Sequence, residues 1–150
     1  MSIRQLNEVV SCEVRRVLEQ TAYLFTEEEA VPPSFDGWAS AGVFLTFSGT
    51  PSGYIHMWTT DALMEAAAVN MLGLDSPDQI TNKNRLDALK ELLNISTGHI
   101  LTRLYGKNVL FELGIPEELD PDLLQGDIKD PRSIWIDAED EPLLVVLRTV

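Results

Sequence analysis

Apolar residues return every three or four positions near the start of the chain. Ile3, Leu6, Val10, Val14, Val17, Leu18 and Ala22 share one face of a helix spanning about Arg4 to Leu24. The next segment, Thr26 to Gly37, is acidic and carries the Pro32-Pro33 pair, which breaks regular structure. Two short strand-like runs follow, Ala41 to Phe47 and Gly53 to Thr59, joined by Ser48-Gly49-Thr50-Pro51-Ser52. The glycine and proline of that linker suit a hairpin, so the two runs are read as an antiparallel pair.

A second helical pattern covers Asp61 to Leu72, with Thr60 placed to cap its start, an alanine-rich interior and Gly73 as its stop. Beyond the loop Asp75-Ser76-Pro77-Asp78 lies the longest helical pattern, about Asn84 to Tyr105, ending at Gly106. Strands are expected near Val109 to Gly114, Ser133 to Asp137 and Pro142 to Arg148. An acidic loop with Pro116 and Pro121 separates the first two, and a turn of Asp-Ala-Glu-Asp-Glu makes the last two a hairpin. The order α-β-β-α-α-β-β-β predicts an α+β fold, an antiparallel or mixed sheet packed with helices. With 150 residues, 45% of them hydrophobic, and no internal repeat, a single domain over 1–150 is expected.

Charge narrows the partners. A net charge of −13, from 24 acidic and 11 basic side chains, repels a phosphate backbone and argues against nucleic-acid binding. From Phe111 onward there are eleven Asp and Glu against three Lys and Arg, read as a solvated acidic surface. No apolar run reaches the roughly 18 to 20 residues of a membrane span, and Arg4, Glu8, Glu13, Arg15 and Arg16 are unlike a signal peptide. Cys12 is the single cysteine and has no partner for an internal disulfide, so a reducing cytoplasm is the expected compartment.

The long helix carries two stripes. On a wheel of about 100° per residue, Leu86, Leu89, Leu93, Ile100 and Leu104 cluster within about 60° as a buried seam. Asp87, Glu91, Asn94, Gly98 and Tyr105 align beside it about as tightly. Polar residues next to a seam are ordinarily just solvated. Gly98 resists that reading, because glycine inside a helix costs up to about 1 kcal/mol relative to alanine. It calls for a close neighbour, from this chain or from a partner.

Three other chemistries fit poorly. Gly49 and Gly53 are followed by a strand and lack the Lys-Ser/Thr of a phosphate-binding loop. Asp87 and Glu91 gain no histidine for a metal site, since His99 lies about 80° round the helix from Glu91 and His56 is on a strand. Ser96 and His99 are helical neighbours with no visible oxyanion element.

The spacing on the long helix resembles the active-site pattern of the CheC/CheX/FliY chemotaxis phosphatase family. That pattern is Asp or Ser, three residues, Glu, two residues, Asn, twenty-one residues and Pro, met here by Asp87, Glu91, Asn94 and Pro116. The stretch Phe44 to Tyr54 resembles the family's first hairpin, with two glycines flanking the turn, and Asp61 to Leu72 its next helix. One motif rather than two makes the chain more similar to CheX than to the duplicated CheC. Apart from Pro116, the stretch between Gly114 and Ser133 follows no part of the family's pattern.

The resemblance implies a CheC-like fold and hydrolysis of the aspartyl phosphate on a CheY-like response regulator. Such a reaction requires chiefly a positioned water and neutralised phosphoryl oxygens. Asn94 would orient the water through its carboxamide, and Glu91 would pair with the receiver's active-site lysine. Asp87 and Gly98 would belong to the partner-binding face, and Pro116 would shape a turn that supports it. No cofactor is expected on this chain, and Mg²⁺ would sit on the partner receiver domain. CheX-like proteins pair into homodimers, so a homodimer is expected as well. The alternative is a non-catalytic CheX-like module for receiver binding or dimerisation.

Overall fold

The computed structural model describes residues 1–28, 33 and 37–150. Helix α1 (Ile3–Thr21) starts at a capping box, in which the Ser2 hydroxyl accepts from the Gln5 amide and the Gln5 side chain accepts from the Ser2 amide. It ends three residues before the expected Leu24. The segment expected to lack regular structure instead opens with strand β1 (Thr26–Glu28), and residues 29–32 and 34–36, including Pro32, lie outside the described residues.

Strands β2 (Ala41–Ser48) and β3 (Gly53–Thr59) form the expected antiparallel hairpin, closed by the pair Phe47 and Gly53. Close packing explains its glycines. A Cβ on Gly53 would collide with the Arg148 carbonyl oxygen, and one on Gly49 with the Phe111 ring.

Helix α2 (Asp61–Leu72) is capped by Thr60, whose hydroxyl accepts from the Leu63 amide, and stops at Gly73 in the left-handed conformation. Helix α3 (Asn82–Tyr105) begins two residues earlier than the apolar pattern suggests. Thr81 is its cap, accepting from the Asn84 amide while the Asn84 side chain accepts from the Thr81 amide. The strand expected at Val109 to Gly114 shrinks to β4 (Glu112–Leu113), and β5 (Glu117–Glu118) follows it. The short helix α4 (Leu124–Lys129) had no counterpart in the sequence reading. Strands β6 (Ile134–Ala138) and β7 (Glu141–Thr149) make the expected final hairpin, turning through Glu139 and Asp140, both with positive φ.

All pairings are antiparallel, in the order β1-β6-β7-β3-β2-β4, with β5 also pairing β2. The three long helices pack on one face: α1 against α3 and β6, α2 against α3, and α3 against β2. Between the layers lie Val10, Val14 and Leu18 of α1, Leu89, Leu93 and Ile100 of α3, and Val43, Leu45, Ile55, Met57, Val145 and Leu147 of the sheet. This is the α+β layering that the pattern predicts.

The opposite face is covered too. Trp38, Trp58, Leu119, Leu124, Leu144 and Val146 form a second buried cluster beneath α4. Burial from both sides explains why β7 runs apolar without alternation from Leu143 to Leu147. Asp127 of α4 reaches into this layer and is almost fully buried. Its Oδ2 accepts from Trp58 Nε1 and His56 Nδ1, each at 2.7 Å, and its Oδ1 accepts from Arg148 Nη2 at 2.7 Å. Arg148 Nε also donates to Asp130 at 2.8 Å. Burial opposes ionisation of Asp127, but the hydrogen bonds from His56, Trp58 and Arg148 outweigh it and hold its pKa below the ordinary carboxylate value. An ionised carboxylate only accepts, so His56 Nδ1 carries a proton. The solvated-surface reading of the acidic C-terminal third therefore fails at Asp127, which anchors α4.

Candidate active site

Helix α3 is a 24-residue rod fixed by its cap and by the buried Ala88, Leu89, Leu92, Leu93, Ser96, Thr97, Ile100 and Leu101. The seam is broader than the five residues of the wheel, and Leu86 and Leu104 are only half-buried at its margins. So firmly packed a helix fixes the positions from which its outward side chains project, which a docking or catalytic site requires.

Asp87 and Glu91 project into solvent, one turn apart. Asp87 pairs with Lys83 at 3.4 Å in an exposed contact that contributes little to stability. Glu91 makes no ion pair or side-chain hydrogen bond among the described residues. Asn94 is half-buried and likewise keeps its carboxamide free of partners among them. An unpaired carboxylate and an unpaired carboxamide thus stand three residues apart on one rigid surface.

Asn94 lies at the wall of a groove of about 780 Å³ between α1 and α3, shared with Cys12, Glu13, Arg16, Ile95, Gly98, His99, Thr102 and Arg103. Gly98 is its half-buried neighbour one turn on, and a Cβ there would meet nothing within 4 Å. Glu13 is buried, with its carboxylate accepting from Arg103 Nη1 at 3.1 Å and 3.7 Å from Arg16 Nη1. The Cys12 side chain and then Glu13 raise the pKa of the Arg103 guanidinium further above its already high value, so it is a permanent cation.

The remaining candidate residues are scattered. Tyr105 packs on Phe111 at 5.5 Å between ring centroids and belongs to the margin of the core rather than to the polar stripe. Pro116 sits half-buried between β4 and β5 on the flank of β2. Neither Asp87, Glu91 nor Pro116 lines the groove that holds Asn94 and Gly98. Ser96 points into the core while His99 is exposed, so these two do not form a pair. Among the described residues no three His, Cys, Asp or Glu side chains converge as a metal site needs, and no helix is long and apolar enough to cross a membrane.

Glu13, Arg16 and Arg103 escaped the sequence reading. A signal existed, because Glu13 lies between Val10 and Val17 on the apolar stripe of α1, where an acid is buried only with cationic partners. A second hollow, about 490 Å³, opens on the other sheet face among Phe44, Tyr54, His56, Leu119, Asp127 and Arg148. The charges of Asp127 and Arg148 are engaged with each other there.

The family model described as "Chemotaxis phosphatase CheX" matches residues 41–137. No curated protein matches the chain in sequence. Among solved structures, the chemotaxis protein CheX of Vibrio vulnificus superposes with a TM-score of 0.72 at 14% identity, covering 100% of this chain and 99% of that one. The chemotaxis protein CheX of Desulfovibrio desulfuricans gives 0.67 at 16% identity, covering 97% and 99%. The Borrelia burgdorferi CheX–CheY–BeF3–Mg²⁺ complex gives 0.65 at 14% identity, covering 95% and 96%. At such identities the superpositions establish a shared fold. The family match covers well over half of the sequence, and the chain belongs to the CheX family of chemotaxis phosphatases.

Proposed function

We propose that this chain accelerates hydrolysis of the aspartyl phosphate of a CheY-like receiver domain. The observation that carries the proposal is the exposed Glu91 three residues before a half-buried Asn94 on one rigid helix, both without partners among the described residues. The family match and the partner named in the Borrelia complex support it.

An acyl phosphate needs no nucleophile from the phosphatase. Catalysis comes from aligning a water with the phosphorus–oxygen bond and from neutralising the equatorial oxygens. Asn94 offers a carboxamide oxygen that accepts from the water and an NH₂ group that donates to a phosphoryl oxygen. Its half-burial restricts the rotamers over which the water would otherwise wander. Glu91 would be repelled by the phosphate itself, so it serves as the docking anchor, pairing with the receiver's lysine beside the phosphorylated aspartate. Asp87, tied loosely to Lys83, tunes that approach. Pro116 acts at a distance, by fixing the turn between β4 and β5. Mg²⁺ belongs to the receiver's own acidic residues, and this chain supplies no cofactor.

The proposal extends to a homodimer formed through a sheet edge. The edge strands β1, β4 and β5 are only two or three residues long, so any ladder that a neighbour adds there is short. Sedimentation as a monomer at high micromolar concentration would remove that part. The enzymatic part is tested by mixing the protein with phosphorylated receiver domains and following loss of phosphate. Faster loss with at least one receiver is expected. Binding without acceleration would make the chain a docking module instead.

A further inference from the structure

We infer that the groove between α1 and α3 is the second half of the docking surface, and that it receives the anionic rim of the phosphorylated receiver. The inference rests on the receiver as partner and adds Glu13, Arg16 and Arg103, which lie outside the motif.

Gly98 is the first observation. The helix-terminal glycines have an evident reason: Gly73 and Gly106 end α2 and α3 with positive φ. Gly98 sits inside a 24-residue helix where alanine would be more stable, and nothing in the chain approaches its missing side chain. The open space faces the groove one turn beyond Asn94. A bare backbone there lets a partner close on the helix next to the carboxamide that must reach its phosphoryl group.

The buried acid on α1 is the second. Burying Glu13 is unfavourable unless cations accompany it, and the chain supplies Arg103 from α3 and Arg16 from its own helix. One carboxylate between two guanidiniums leaves a net positive spot at the groove, in a chain whose net charge is −13. The half-exposed guanidiniums keep donors free for a ligand. A phosphorylated aspartate and the acids that hold its Mg²⁺ are anionic, and such a spot attracts them on a chain whose net charge otherwise repels them. Glu91 and the arginines then sort the partner's charges, lysine to one side of Asn94 and acids to the other.

The test is a titration of this chain with a receiver domain carrying beryllofluoride and Mg²⁺, so that affinity is read apart from turnover. Gly98→Ala should raise the melting temperature by about 2–4 °C, because its Cβ meets nothing. Gly98→Gln should weaken binding about tenfold, a loss set by displacement of the partner from the helix. Arg16→Gln should weaken binding and flatten its salt dependence, while the melting temperature stays within about 2 °C. If the unaltered chain binds and both Gly98→Gln and Arg16→Gln bind as tightly, the groove is not a docking surface, although the phosphatase reading survives. If the unaltered chain binds no receiver, groove and phosphatase reading fall together.

Discussion

Replacing Asp127 by alanine removes one acceptor from three donors at once: Trp58 Nε1, His56 Nδ1 and Arg148 Nη2. A hydrogen bond to a charged group contributes about 1.5–3 kcal/mol net, so the three would give about 4.5–9 kcal/mol if they were independent. They are not independent. Arg148 keeps Asp130 at 2.8 Å and its side chain is 20% exposed, so water and the second carboxylate recover much of its share. The indole of Trp58 and the imidazole of His56 remain buried with an unmet donor. The expected loss is about 3–4 kcal/mol, within the range for removing one partner of a buried pair. At this chain length that lowers the melting temperature by about 6–16 °C. All three tryptophans lie in or against this cluster, so intrinsic fluorescence during urea denaturation reports it directly. The network sits on the sheet face away from α3, so the folded variant should keep its effect on a phosphorylated receiver. A stability loss below about 1 kcal/mol would refute the claim that Asp127 anchors α4.

Two further outcomes follow from the same packing. Asp127 and Asp130 both have depressed pKa values, because hydrogen bonds outweigh the burial that opposes ionisation. Their contribution is present above the unfolded value of about 4 and is lost as pH falls through the folded pKa, so the urea midpoint should drop below about pH 4 and drop less in Asp127→Asn. Gly42→Ala places a Cβ against the Trp58 ring and should cost about 1–3 kcal/mol by equilibrium unfolding, whereas Gly98→Ala, into empty space, should stabilise.

The elements that the sequence made legible are those fixed by local rules. Thr60 and Gly73 bound α2 as expected, and the loop at Ser48 to Ser52 turned the first hairpin in register. The apolar and polar faces of α3 also separated, Tyr105 apart, because 24 residues give a wheel enough repeats to resolve them. What escaped depends on distance along the chain. Asp127 meets His56 and Trp58 from about seventy residues away, and the six residues of α4 carry too short a pattern to read. Strands β4 and β5, two residues each, exist only because β2 offers them an edge. The groove beside Asn94 needed two helices to be placed together, although the misfit acid Glu13 marked one of them.

The central claim is that Asn94 positions a water on a partner's phosphoryl group. The most direct measurement is single-turnover dephosphorylation of a receiver by the unaltered chain and by Asn94→Ala, with melting temperature and receiver affinity measured on the same samples. The account predicts a fall of about a hundredfold or more in the accelerated rate, near-unchanged stability and retained binding, as expected when a group acts in the transition state. An Asn94→Ala protein that dephosphorylates the receiver as fast as the unaltered chain would contradict it.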